Sequence, residues 1–280
     1  MKYIIHGATG AQGAPLFNKL IEQGTDAVAV VRNPTSLKGV PTVALDLTSV
    51  DSLISAYAGA DGIFLHLPIG PEVMRSEFAH NIAKAIMEAK PARVVLTTSG
   101  WPLGIPGDKS ALPTLINELE KTSVSLAIIA PQLYLENLLL PIVIGPVKED
   151  HKLPYPLRND YPVSWCSHLD IADVAAALLR DFSVTGIVEV GQLPAITGND
   201  LADAFADYFG HDVSFQSLTP DEFGMKLAIL FGESAATEVV KGYKAKALTQ
   251  DSAIKQAMSA QVLLGITPRT VGQWLRDINI

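Results

Sequence analysis

A chain of 280 residues with 48% hydrophobic content is long enough to bury a large core, as one large domain or one domain with a lobe. Its net charge of −8 argues against nucleic acid or an anionic membrane surface as the main partner. No uncharged apolar run reaches the ~18 residues that span a bilayer; the closest, Leu138 to Val147, is short and holds two prolines. The single cysteine, Cys166, excludes an internal disulfide and any cysteine-based metal site. With no basic-plus-apolar leader ahead of residue 3, a cytoplasmic location is expected.

An apolar run opening at residue 3 leads into Gly7-Ala8-Thr9-Gly10-Ala11-Gln12-Gly13, and a helix-like pattern follows at Leu16, Phe17, Leu20 and Ile21. The glycine spacing is G-x-x-G-x-x-G. A backbone turning sharply from a strand into a helix needs small residues there, because a Cβ would collide with a pyrophosphate lying on the helix N-terminus. The segment is therefore read as a dinucleotide loop, looser than G-x-G-x-x-G.

Ala27–Val31 reads as a buried parallel strand. An NAD site usually ends this strand in Asp or Glu, which accepts hydrogen bonds from the ribose 2′-hydroxyl. Here it ends in Arg32-Asn33-Pro34, with no carboxylate from Ala27 to Val43. A guanidinium grips a 2′-phosphate that an acid would repel, so NADP(H) is expected over NAD(H), with Lys38 adding charge.

Strand and helix patterns then alternate: strand Thr42–Leu47, a helix from Thr48/Ser49 to Ala58, strand Gly62–Leu67, a helix from Pro71 to Glu88, and strand Arg93–Thr98. A Gly/Pro-rich loop spans Gly100–Gly107, followed by a helix over Leu112–Lys121 and strand Val124–Ala130. Parallel strands joined by helical crossovers give an α/β fold: a doubly wound parallel Rossmann sheet, with ligand across the carboxyl ends of its strands.

From Pro131 the rhythm changes. Leu138–Pro162 is proline-rich and lacks helical periodicity. Asp170 is read as the N-cap of a helix running to Asp181, with Asp170 and Asp173 as cap and dipole partners rather than an acid/base pair. Ile187–Val190 and a segment near Val213–Phe215 read as strands, and Leu201–Phe209 and the stretches after Thr219 and Pro268 as further elements of a smaller C-terminal α/β substrate lobe. The division expected is a Rossmann domain over 1–150 and mostly substrate lobe over 151–280, with segments near 163–190 returning to the sheet. Cys166 reads as a buried small hydrophobe, and no arrangement resembles a metal site.

Taken together, these residues resemble the NmrA-like branch of atypical short-chain dehydrogenases over nearly the whole chain. The matching pieces are Gly7–Gly13, Val31-Arg32-Asn33-Pro34, Asp46-Leu47, Thr97-Thr98-Ser99, and Pro131-Gln132-Leu133-Tyr134-Leu135-Glu136-Asn137. His168-Leu169-Asp170-Ile171-Ala172-Asp173-Val174-Ala175 and Pro268-Arg269-Thr270 with Trp274-Leu275 complete the set. The family includes NAD(P)H-dependent quinone and dye reductases, and redox sensors that bind NADP without turning it over. The resemblance implies that Gly7, Thr9, Gly10, Ala11, Gln12 and Gly13 hold the pyrophosphate and its ribose, and that Arg32 and Asn33 meet the 2′-phosphate. It places Asp46 and Leu47 beside the adenine, and His66, Leu67, Pro68, Thr98 and Ser99 beneath the ribose and nicotinamide. Plainer roles compete at three of these positions and their neighbours: Asp46 as a helix cap, and His66 and His6 as packed core histidines.

The departure from that pattern is as informative. Typical short-chain dehydrogenases carry Tyr-x-x-x-Lys on the helix after the fifth strand, the tyrosine protonating the carbonyl oxygen and the lysine lowering its pKa. Here the stretch from Ser99 to Val124 holds no tyrosine, and the helix carries Leu112-Pro113-Thr114-Leu115. Lys109 sits too early to match, and Lys121 falls at the helix end. An enzyme so built is expected to pass hydride to a small electron-poor acceptor such as a quinone, dye or imine. Ser99, Trp101 and Tyr134 are the catalytic candidates: hydroxyls to donate a hydrogen bond, an indole to stack on a planar ring. Trp165 is counted among the aromatics facing the cleft, and lobe packing is the competing role for Trp101 and Tyr134. The alternative is a non-catalytic NADP(H)-binding redox sensor. Monomer and homodimer both fit the sequence.

Overall fold

The computed structural model describes residues 1–33, 37 and 39–280. Pro34 and Lys38 lie outside the described residues. The chain divides into two compact units, the first comprising Met1–Pro131, His168–Glu189 and Ala260–Ile266, the second Gln132–Ser167, Val190–Ser259 and Thr267–Ile280.

In the first unit the chain runs β1 (Lys2–His6), α1 (Gly13–Glu22), β2 (Asp26–Val31), β3 (Thr42–Ala44), α2 (Val50–Tyr57), β4 (Gly62–Leu65), α3 (Glu72–Ala89), β5 (Arg93–Thr97), α4 (Ala111–Leu119) and β6 (Ser125–Pro131). The second unit takes up β7 (Leu133–Tyr134), α5 (Pro141–Asp150), β8 (Lys152–Tyr155) and β9 (Trp165–Cys166). The chain then returns to the first for α6 (His168–Arg180) and β10 (Gly186–Val190). The second unit is completed by α7 (Gly198–Phe209), β11 (Ser214–Ser217), α8 (Pro220–Phe231), α9 (Glu233–Ala247) and α11 (Val271–Ile278), with α10 (Ala260–Leu264) packing on α6 in the first.

Seven strands form one sheet in the order β10-β6-β5-β4-β1-β2-β3. The pairs β2–β3, β1–β2, β1–β4, β4–β5 and β5–β6 are all parallel. Successive side chains point to opposite faces, so Ile4, Ile63, Leu65, Val94 and Leu96 pack with α2, α3 and α4 in one core. The opposite face meets α1 and α6: a Cβ on Gly62 would lie 3.0 Å from Tyr3 and 3.2 Å from Leu179. Arg93 is fully buried, its Nε donating to Leu178 O at 2.8 Å, Nη2 to Val184 O at 2.6 Å and Nη1 to Ser125 Oγ at 2.8 Å, with the charge of Asp181 acting on it from nearby. Three hydrogen bonds offset the desolvation of its charge and fix β5 against the end of α6. Lys19 pairs with Asp173 at 2.7 Å, which gives Asp173 an ion-pair role between α1 and α6 in place of the dipole role read from sequence.

The strand order reverses at β1. From β1 the chain steps to β2 and β3 on one side, then crosses back to β4 on the other, leaving a crevice at the carboxyl ends of β1 and β4. That crevice positions the site.

In the second unit β7 pairs with β9 and β8 with β11, both parallel, around a core of Tyr155, Trp165, Phe205, Phe223, Tyr243 and Trp274. Thr197, Thr219 and Thr270 begin α7, α8 and α11 with capping boxes to Asp200, Glu222 and Gln273.

Two expectations are corrected here. Leu138–Pro162 is not aperiodic: Pro141–Asp150 is helical, with Pro141 in its first turn where a missing N–H costs nothing and with Val143 and Val147 buried one turn apart. Asp170 is not an N-cap. The helix starts two residues earlier, at His168, and Asp170 lies buried in its first turn. No helix among the described residues is long and apolar enough to cross a membrane.

Candidate functional site

The site begins where β1 ends. Gly7 has φ +61°, a left-handed conformation that favours glycine, and a Cβ there would lie 2.3 Å from His66 Nε2. At Gly13 a Cβ would lie 2.3 Å from Gly7 O and 2.4 Å from His6 O, so the first residue of α1 must be glycine for the helix to come this close to its own strand. Gly10 differs: its Cβ would meet only Gly7 O, at 3.2 Å, and otherwise points into open space. The turn is closed by Gly10 N donating to Gly7 O at 2.7 Å. Thr9, Gly10 and Ala11 are exposed at the N-terminus of α1, whose first turn carries no acidic residue. Exposed amides at the positive end of a helix dipole, with no carboxylate beside them, suit a pyrophosphate.

Gln12 joins this loop to the end of β5. Its Nε2 donates to Ser99 Oγ at 2.9 Å, and its Oε1 accepts from Thr97 Oγ1 at 2.9 Å. Ser99 N in turn donates to Thr97 Oγ1 at 3.2 Å. Ser99 has φ +55°, an uncommon conformation for a non-glycine residue, and Gly100 follows at +82°. The hydroxyl of Ser99 therefore accepts from Gln12 and keeps its own proton to donate. Beside it, Thr98 is buried and its Oγ1 has no hydrogen-bond partner among the described residues, an open polar valence of the kind a bound group can fill.

The remaining strand ends arrange themselves along the same edge. Arg32 and Asn33 are exposed directly after β2. After β3, the Asp46 carboxylate accepts from Thr48 N at 2.9 Å and Thr48 Oγ1 at 2.7 Å, and these bonds hold it below the usual carboxylate range. Ser49, not Asp46, caps α2. Leu47 packs on the core while its carbonyl accepts from Asn81 Nδ2 at 3.0 Å. After β4, His66 is half-buried against Gly7, Leu67 is buried and Pro68 half-buried. Burial lowers the His66 pKa.

His6 is buried, and its Nε2 lies 2.9 Å from the Tyr57 hydroxyl. Burial, with nearby His66 adding to it, lowers its pKa from 6.5 to about 3. The folded protein thus keeps His6 neutral, and only the unfolded chain takes up its proton between those values. Stability is accordingly complete above the unfolded pKa and is lost as pH falls toward the folded one, at about 1.4 kcal/mol per pH unit for one proton; His66 acts in the same direction. Urea midpoints measured from about pH 7 down to pH 5 are expected to fall with this slope, and His6→Gln to flatten it. Parallel curves for the two proteins would show that His6 is not the group responsible.

Trp101 follows the left-handed turn and is 48% exposed. Lys109 and Lys121 are exposed at either end of α4, and Thr114 lies half-buried within it. Tyr134 belongs to the second unit, in β7, with its hydroxyl buried. Trp165 corrects an expectation: it is fully buried in the second unit's core, edge-on to Tyr155 with ring centroids 5.4 Å apart, and faces no cleft. Cys166 is buried beside it. Asn137 bonds the Tyr155 hydroxyl. Glu136 accepts from Ser167 Oγ at 2.6 Å and from Trp274 Nε1 at 3.3 Å, so it knits three distant stretches of the second unit. Among the described residues no group of three His, Cys, Asp or Glu is placed to hold a metal ion.

Residues 7–120 match the family described as NAD(P)H-binding. This stretch is an NAD(P)H-binding domain. It contains the glycine loop, Arg32, the ends of β4 and β5, and Ser99. Over 230 residues, 78% of each chain, the protein is 24% identical to an NAD(P)H azoreductase of Xenophilus azovorans. In fold it is similar to the triphenylmethane reductase of a Citrobacter species, at TM-score 0.84 and 17% identity with all of both chains covered. The NADPH-dependent quinone oxidoreductase of Escherichia coli is similar too, at TM-score 0.76 and 19% identity, again covering both chains fully.

Proposed function

We propose that the protein is an NADPH-dependent reductase that passes hydride to a small, electron-poor acceptor such as a quinone or dye. The Gln12 bridge is the observation that carries this reading: it ties the loop suited to the pyrophosphate to Ser99, the hydroxyl at the end of β5. The azoreductase relative supports the same reaction class.

Bound NADPH supplies the hydride, two electrons with one proton, from C4 of its reduced nicotinamide. Everything else falls to the chain. The amides of Thr9–Gly13 and the α1 dipole hold the pyrophosphate. Thr98 and His66 line the floor at the ends of β5 and β4. Ser99, oriented by Gln12, donates a hydrogen bond to the acceptor atom that gains charge. The second proton comes from solvent, since no tyrosine lies between Ser99 and Val124. Electron-poor acceptors tolerate this; an unactivated ketone, which needs an acid in the transition state, does not. Mixing the pure protein with NADPH and a panel of quinones and azo dyes, and following loss of the reduced-nicotinamide absorbance, tests the reading. Tight NADPH binding without oxidation across the panel would overturn it in favour of a redox sensor.

The cofactor reading extends to the 2′-phosphate. Arg32 is exposed after β2 with no acid nearby in sequence. Losing one charge-assisted contact costs about 1.5–3 kcal/mol, so Arg32→Ala is expected to weaken NADPH binding by roughly 10- to 100-fold and leave NADH almost unchanged. Equal effects on both cofactors, in isothermal titration, would remove Arg32 from that role.

A further inference from the structure

Beyond the carboxyl end of β5, Trp101 rests on a charged side chain that cofactor binding and the Gln12–Ser99 bridge leave unused. Arg75, on the first turn of α3, is only 5% exposed. Its guanidinium carbon lies 4.7 Å from the ring centroid of Trp101, and its Nη1 donates to Glu72 Oε2 at 3.0 Å. The other oxygen of Glu72 accepts from the Ala111 amide at the start of α4. Arg75 Nε is buried and has no hydrogen-bond partner among the described residues. A buried N–H left unmet costs folding free energy, and an apolar side chain of similar length would avoid that cost. The ion pair with Glu72 and the stack on Trp101 offset that cost and fix where the guanidinium lies.

What the arginine does is hold an indole. One face of Trp101 is covered by the guanidinium, yet nearly half the residue is open to solvent. Ile69 just before α3, Val73 in its first turn and Ile105 four residues after Trp101 are exposed as well, apolar surface of the kind a ligand covers. We propose that Trp101, stacked on Arg75, is the platform on which the acceptor lies, and that it selects flat neutral or anionic rings over cationic dyes. This rests on the reductase reading above.

The selection follows from charge. An indole face attracts cations through its quadrupole, but here Arg75 already occupies one face. A cation stacked on the other would sit about 8 Å from the guanidinium, the 4.7 Å observed plus a stacking distance of ~3.5 Å, across a ring that admits no screening water. Glu72 offsets part of that charge, which limits the discrimination to roughly five- to tenfold. A neutral quinone escapes the repulsion and an anionic ring is attracted. Arg75 is thus a positioning residue acting through Trp101.

The test has a binding readout and a turnover readout. Of the three tryptophans, Trp165 and Trp274 are fully buried, so quenching of tryptophan fluorescence reports Trp101 first. The NADP+ complex, which holds no hydride to pass on, is titrated with a naphthoquinone, its sulfonate and a cationic triarylmethane dye, and KM and kcat are then measured with NADPH and each acceptor. Trp101→Leu is expected to abolish the accessible quenching and raise KM for the quinone roughly three- to tenfold, with NADPH affinity unchanged. Arg75→Met is expected to improve the cationic dye relative to the quinone by roughly five- to tenfold, and Arg75→Lys to retain the wild-type preference. Unchanged quinone KM in Trp101→Leu overturns the platform. An unchanged dye-to-quinone ratio in Arg75→Met, or equal wild-type affinity for the cationic and neutral rings should that variant not fold, overturns the charge selection. Quenching by quinone without NADPH oxidation by any acceptor overturns the reductase reading and leaves the platform standing.

Discussion

Gly10→Val is expected to fold normally and lose NADPH binding, while Gly13→Ala, a smaller change three residues away, is expected to damage the fold itself. The difference lies in what each new Cβ meets. At Gly10 it meets only Gly7 O at 3.2 Å and otherwise faces the space in front of the α1 N-terminus. A valine there stands where the pyrophosphate must approach, and the lost charge-assisted bonds, about 1.5–3 kcal/mol each, add up to roughly a 100-fold loss or more. At Gly13 the new atom lies 2.3 Å and 2.4 Å from two backbone oxygens, which no side-chain rotation can relieve. Prising α1 from β1 should cost about 1–3 kcal/mol, or several degrees in melting temperature. Thermal melts and NADPH titrations on both variants separate the two effects. Retained NADPH affinity in a folded Gly10→Val would mean that the loop is a structural turn, and a Gly13→Ala as stable as wild type would mean that helix and strand are not in this contact.

What the sequence makes legible is what local pattern encodes. Buried parallel strands read as short apolar runs such as Ala27–Val31, the helices between them carry 3.6-residue spacing, and the elements read after Thr219 and Pro268 are helices that begin with capping boxes at Thr219 and Thr270. The glycine spacing marks the turn at Gly7 because only backbone geometry is at stake. Contacts between residues far apart in the chain leave no such trace. Gln12 reaches Ser99 across 87 residues, and Glu136 reaches Trp274 across 138, so neither a bridging amide in the glycine loop nor a half-buried carboxylate that ties the second unit together is visible in a window of ten or twenty residues. Trp165 shows the same limit from the other side. Its aromatic character suggested a ligand surface, whereas packing on Tyr155 makes it core. The helix over Pro141–Asp150 was hidden because two prolines outweighed the Val143–Val147 pair in the pattern, although a proline in the first turn is compatible with a helix. Arg75 is hidden too: nothing local separates it from the surface charges of an amphipathic helix.

Ser99→Ala is expected to lower turnover by something like 10²-fold, the effect of removing one donor to a developing oxyanion, whereas Lys109→Ala is expected to stay within a few-fold of wild type. The serine sits in a left-handed conformation at the end of β5, its oxygen held by Gln12 Nε2 at 2.9 Å. That arrangement fixes the direction in which its proton is offered, so losing the hydroxyl removes a preorganised contact rather than a mobile one. Gln12→Leu should therefore reproduce part of the same loss, raising the barrier without touching the acceptor. Lys109 is exposed and lies before α4, whose Leu112, Thr114 and Leu115 transfer no proton near neutral pH. If the second proton comes from solvent, kcat with a naphthoquinone will show no ionisation that disappears on substituting Lys109. A loss of several orders of magnitude in Lys109→Ala would mean instead that the loop after Gly107 folds back to supply the base, and the reaction would then extend to unactivated ketones that the present reading excludes.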